Sequence, residues 1–173
     1  MLKDNAIRYG FGTGVAVIGY FLLFYVISKS LMLNAGVFMA STVLFVIGMI
    51  LACRQERSER GDEGFPIRDS LKTAFATYVV AATVYHIWNY FMLSQIDPSL
   101  IGMQQEMIVE RLERNAGLFG DEATEQIKDA YRERGIEVTV SSTFFSLARS
   151  VLLGFLLALP VAYTHRTIPM NQN

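Results

Sequence analysis

The chain has 173 residues, of which 52% are apolar and 18% charged, where an ordinary soluble domain is about a quarter charged. Its 15 basic and 16 acidic residues nearly cancel, which excludes a nucleic-acid partner, and its single cysteine excludes both an internal disulfide framework and a thiolate metal cluster. What remains is a small integral membrane protein.

Crossing the ~30 Å core of a bilayer takes roughly 20 apolar residues. Residues 9–28 carry no charge and predict the first span. Lys3 and Arg8 ahead of it suit a signal peptide, but the run is longer than the apolar part of such a peptide and no small-x-small cleavage site follows, so an anchor that stays is expected. Gly10-Phe11-Gly12-Thr13-Gly14 imitates a nucleotide loop but follows no strand. Residues 31–53 form the second uncharged run, ending at Ile50-Leu51-Ala52-Cys53; this imitates a lipoprotein box but lies after two spans, and a buried or interfacial thiol is expected. The third span is expected at 73–96 and the fourth at 141–164. Arg149 interrupts the fourth, and since 150–164 alone would make about 22 Å of helix, Arg149 is expected inside the span. Small residues four apart, Gly10 and Gly14, Gly36 and Ala40, Gly154 and Ala158, let helix backbones approach closely, within one chain or between chains.

Basic residues mark the cytoplasmic side of short connections. Lys3 and Arg8 precede span one, Arg54, Arg57, Arg60, Arg68 and Lys72 follow span two, and Arg166 follows span four. Opposite them lie Lys29 and a long connection with five basic and ten acidic residues. Both termini are therefore expected in the cytoplasm of a bacterial cell, with the protein in its inner membrane.

That long connection, 97–137, reads as a helical hairpin outside the membrane. Asp97-Pro98 is a helix-start signature, because Asp caps free amides and Pro has no amide hydrogen to leave unpaired. Leu100, Ile101, Met107, Ile108 and Leu112 recur at helical spacing, with Glu110 and Arg114 as an i,i+4 pair on the wet face. Residues 117–120 break the pattern; Asp121, Glu122 and Glu125 open a second helix with Ala123, Ile127, Ala130 and Tyr131 on one face, and Gly135 stops it. Two such helices are too small to hold a core. Each other, the membrane surface or a partner must cover their apolar faces.

Gly64-Phe65-Pro66-Ile67 leading into Ser70-Leu71-Lys72-Thr73-Ala74-Phe75, the Tyr90-Phe91 to Ile96-Asp97-Pro98 exit, and Met107-Ile108-Val109-Glu110-Arg111-Leu112-Glu113 before a second acidic helix resemble one bacterial membrane family. It is the domain of unknown function four-one-nine-nine, typical of the Bacteroidetes group. The resemblance covers nearly the whole chain and implies a four-span cytoplasmic-membrane protein with no assigned activity. Arg149 and His86 depart from the family pattern.

Polar side chains within spans are costly and are candidates for function. With Lys72 and Arg166 at the inner boundary, His86 rises about 21 Å and Arg149 about 25 Å, with Asn89 near the same height. The three define a candidate polar layer in the outer third of the bilayer. Its plain reading is that Arg149 snorkels outward while His86 and Asn89 bond between helices; its sharper reading is a pocket where Arg149 holds an anion and His86 moves a proton. No span holds a carboxylate, which disfavours proton or ion conduction. Ser141, Ser142 and Thr143 have no base beside them and are expected to cap the last helix. No catalytic, cofactor or metal residue is expected.

The fold class expected is all-α, an integral membrane four-helix bundle with an extramembrane hairpin between spans three and four. Its expected role is that of a structural or interaction subunit, not an enzyme. Its expected partners are membrane lipid and a protein or second copy docked through 97–137 or the small-residue faces. The alternative is a module binding or transporting a small amphiphile or lipid through the outer polar layer.

Overall fold

The computed structural model describes residues 4–61, 64–114, 124–129, 135–136 and 138–166, all of its regular structure being helical. In chain order the helices are α1 (Asp4–Ile27), the single turn α2 (Lys29–Met32), α3 (Ala35–Arg60), α4 (Ile67–Phe91), a π turn (Met92–Ile96), α5 (Ser99–Arg114), the short α6 (124–129) and α7 (Val140–His165). The chain divides into two compact units, residues 1–88 with 144–173, and residues 89–143.

Local chemistry sets where these helices start and stop. Asn34 accepts the Gly36 amide (2.7 Å), so α3 begins at Ala35, later than the uncharged run suggests. Its far end passes Cys53 into a polar extension and stops where Gly61 takes φ +55, a conformation open to glycine. At the start of α7, Thr139 and Ser142 cap reciprocally: Ser142 N donates to Thr139 Oγ1 (3.1 Å) and Thr139 N to Ser142 Oγ (2.9 Å). Thr139 therefore occupies the capping position, one turn ahead of Ser142, with Ser141 exposed. Pro160 lies inside α7, tolerable where neighbouring helices and polar side chains re-satisfy the freed carbonyl.

In the first unit α4 is the central element. Asn5 opposite Glu56 and Thr13 against Gly48 make α1 and α3 antiparallel, while Gly10 against Val80 and Gly14 against Val84 make α1 and α4 parallel. Phe75 against Phe155 (ring centroids 5.5 Å) and His86 against Ser150 bring α7 antiparallel along α4. Phe21 meets Tyr85 and Trp88, and Phe45 meets Tyr78, closing an aromatic core around α4.

Burial is inverted relative to a water-soluble bundle. Large apolar side chains stand exposed along α1 (Phe11, Leu23, Val26), α3 (Phe38, Met39, Val43) and α7 (Phe145, Leu152, Leu156). These three helices are long and apolar enough to cross a membrane, yet no more than 33% of any of their apolar stretches is buried. A surface of that extent is not held in water by a monomeric protein. α4 is as long, at 25 residues, but is not among them: it carries Thr73, Thr77, Thr83, His86 and Asn89. The packing explains why it can. Thr73, Thr77, Tyr78, Ala81, Ala82 and Tyr85 are buried against neighbours, and the Thr77 hydroxyl donates to the Thr73 carbonyl (2.8 Å), so these groups never face an apolar solvent.

Candidate functional site

Two sets of polar contacts bind the first unit. The larger joins α1, α3 and α4 at one end. Asn5 Nδ2 donates to Glu56 Oε2 (3.3 Å) and Glu59 Oε2 (2.6 Å). Arg60 Nε approaches Glu56 Oε1 (3.3 Å), one turn back on the same helix, and Arg60 Nη1 reaches Asp69 Oδ2 on α4 (2.8 Å). The guanidinium lies over the ring of the fully buried Phe65, 5.2 Å from its centroid, which fixes the connection between α3 and α4. Glu56 is 5% exposed, so its charge is held by these partners rather than by water. Burial works to lower the pKa of Arg60, but the bonds to Asp69 and Glu56 outweigh it and raise the group above its ordinary value. A raised basic group contributes fully below its ordinary pKa and loses that contribution only above the raised one, so no working pH releases Arg60. In the sequence Arg60 reads only as a marker of sidedness. The Glu56–Arg60 spacing of four was a visible signal; the reach to Asp69 on the next helix was not.

The second set lies deeper. His86 Nε2 is 3.2 Å from Ser150 Oγ, an interhelical bond between α4 and α7, while Ser150 Oγ also donates to the Leu147 carbonyl (2.9 Å). Arg149, next to Ser150, is exposed and makes no hydrogen bond or ion pair among the described residues. Asn89 is half-buried and belongs to the second unit. The structure thus brings His86 to Ser150, a residue outside the expected layer, and turns Arg149 outward on α7. Such a bond is worth about 0.6 kcal/mol on average. We expect His86→Leu and Ser150→Ala each to lower unfolding stability in detergent by about that much. The double variant should lose no more than either single one, a result read from a double-mutant cycle.

Of the small-residue pairs, Gly10 and Gly14 lie directly against α4, where an added Cβ would meet Val80 Cβ and Val84 Cβ at 2.7 Å. Gly154 seats on the Tyr78 ring, and Ala158 is fully buried. Gly36 and Ala40 are exposed on α3. Cys53 is buried, its Sγ 3.6 Å from the Ser70 carbonyl.

In the second unit the exit from α4 is a π turn, in which the Asp97 amide donates to Met92 O (2.8 Å). Asp97 is buried and accepts the Ser99 hydroxyl. α5 begins at Ser99, so Pro98 stands just before the helix rather than as its first residue. Leu100 is buried, Ile101, Met107, Ile108 and Leu112 are half-buried, and Glu110 pairs with Arg114 at 2.8 Å. Residues 117–120, Asp121, Glu122, Ala123, Ala130 and Tyr131 lie outside the described residues; Ile127 is exposed and Gly135 takes φ +64. Lys128 bridges Glu113 on α5 (2.9 Å) and Glu125 (2.8 Å), tying α6 to α5. Hydrogen bonds to Glu125 and Glu113 raise its pKa above the ordinary 10.5, so the tie is complete below that value and is lost as pH climbs through the raised one. Lys128→Met should therefore speed amide exchange in 124–129 at neutral pH, and the wild-type protein should show the same loosening only in strong alkali. A shallow groove along α5 is lined by Gly102, Gln105, Glu106, Val109, Glu110 and Glu113. Among the described residues no group of three or more His, Cys, Asp or Glu could hold a metal ion.

The family model described as "Protein of unknown function (DUF4199)" matches residues 8–167. The chain belongs to that family. No curated protein and no solved structure matches it. The DUF4199 match takes in every residue of the polar tie except Asn5, as well as His86, Arg149 and Ser150. In this DUF4199 chain the polar groups of the first unit hold helices to one another.

Proposed function

We propose that this DUF4199 chain is a multi-span protein of a bacterial cytoplasmic membrane with a structural or interaction role. α4 supplies a fourth span shielded by α1, α3 and α7, both termini lie in the cytoplasm, and α5 with the residues after it forms an outward helical arm. The observation that carries this reading is the use made of the polar and small residues of α4. His86 is engaged by Ser150, Thr77 and Thr83 by their own helix, and Val80, Val84 and Tyr78 by glycines of α1 and α7. A helix so occupied is a fixed strut rather than a ligand channel. Its partner is another membrane protein, met by the outward arm or by the open faces of α3 and α7. Affinity purification of the full chain from native membranes tests the role. A stoichiometric partner that is lost when α5 is made polar on its apolar face supports it; a monomer carrying a retained small amphiphile contradicts it. A reporter fused after Leu118 reads the topology and is expected outside the cytoplasm.

A further inference from the structure

We propose that the end of the first unit where α1, α3 and α4 are tied together is a docking surface for anionic phospholipid headgroups. The inference rests on the membrane reading above. Three contacts fix the relative heights of the helices at this end: Asn5 to Glu56, Arg60 to Asp69, and Cys53 to Ser70. Counting inward at 1.5 Å per residue from the level of Asn5 and Glu56, Arg54 lies about 3 Å and Arg8 about 4.5 Å beyond it, and Lys72, two residues past a Ser70 that is level with Cys53, about 7.5 Å beyond it. One exposed cation on each of three helices therefore lies within a band about one helical turn deep, on the bilayer side of the Asn5–Glu56 contact. Arg8 and Arg54 make no ion pair among the described residues, and Lys72 has only a loose approach to Asp69 (3.9 Å) with its side chain 66% exposed. Arg57 and Arg68 are exposed farther out.

The acids of this end are disposed differently. Glu56 is buried, and Glu59 and Asp69 are engaged by Asn5, Gln55 and Arg60. Exposed Asp4 lies outward of Asn5, away from the cationic level; Asp62 and Glu63 lie outside the described residues. The Arg60 guanidinium offsets one of the carboxylate charges of Glu56 and Asp69, and Glu59 lies outward of Arg54, so long cationic side chains are left at the depth where lipid phosphates lie. Each such cation near an anionic leaflet contributes about a fivefold preference, and three contribute on the order of a hundredfold. Charge-assisted bonds from arginine to phosphate oxygens add geometry to this field.

The test reconstitutes the full chain in nanodiscs of phosphatidylcholine alone or mixed with phosphatidylglycerol and counts retained lipid by native mass spectrometry. Selective retention of phosphatidylglycerol, weakened by salt, is expected. The Arg8→Gln/Arg54→Gln/Lys72→Gln variant should lose most of that preference while entering phosphatidylcholine discs as wild type does. Equal retention of the two lipids by the wild type, an unchanged preference in the variant, or displacement of the lipid by millimolar inorganic phosphate would overturn the proposal. Failure of the wild type to enter phosphatidylcholine discs at all would instead overturn the membrane reading.

Discussion

Replacing Gly10 and Gly14 together with alanine should separate α1 from α4 and lower the midpoint of thermal unfolding in detergent. At Gly10 a Cβ would stand 2.7 Å from Val80 Cβ and 2.8 Å from the Thr77 carbonyl oxygen, and at Gly14 it would stand 2.7 Å from Val84 Cβ and 3.0 Å from the Ala81 carbonyl oxygen. Backbone oxygens and β-branched side chains cannot swing aside as the tip of a lysine can, so the helices themselves must part. Overpacking of this kind costs about 1–3 kcal/mol per site, and because two neighbouring sites share one displacement, the pair should cost less than the sum. Gly12 and Gly19 supply the control within the same helix. Neither has a heavy atom within 4 Å of an added Cβ, so Gly12→Ala and Gly19→Ala should be neutral or mildly stabilising, alanine being the better helix former. Equal effects at all four glycines would mean that α1 does not pack on α4 through this face.

The second large effect is expected at Arg60. Arg60→Leu withdraws the cation that faces Glu56 and Asp69 while leaving Glu56 buried, and breaking a buried pair from one side costs about 3 kcal/mol or more. Arg60→Lys should recover only part of this, because an ammonium does not reproduce a planar fork that meets two carboxylates and stacks on Phe65. Asp69→Asn, which removes one contact at a half-exposed site, should cost about 1 kcal/mol. Since Arg60 stays charged at every working pH, these differences should be constant between pH 6 and 9. Chemical unfolding of the detergent-solubilised variants measures all three, and a loss at Asp69→Asn equal to that at Arg60→Leu would show that Glu56 has no need of the guanidinium.

The long apolar helices were legible because a run of about 20 uncharged residues has few alternatives to crossing lipid or filling a large core. Which face of each helix turns inward was not legible. Gly10–Gly14 and Gly36–Ala40 have the same spacing, yet the first pair is pressed on α4 and the second is exposed, a difference set by neighbours that a local pattern does not name. The same holds for the polar layer. Heights along the spans placed His86 near Arg149, but 3.6 residues per turn put Ser150 rather than Arg149 on the side of α7 that meets α4. Arg60 was read as one charge among several because its decisive partner, Asp69, lies on the next helix, nine residues on, at a spacing that no helical pattern marks. The π turn after Phe91 leaves no periodic signature, and the cap of α7 fell on Thr139, one turn ahead of the hydroxyl it pairs with.

If α1, α3 and α7 cross a bilayer, acyl chains solvate their open apolar faces. Spin labels at Leu23, Met39 and Leu152, all exposed in the structure, can be read in liposomes against a label at the polar surface position Glu110. High collision rates with oxygen and low rates with a water-soluble nickel chelate are expected at the three apolar sites, and the reverse at Glu110. Free access of the chelate to Leu23, Met39 and Leu152 would contradict it.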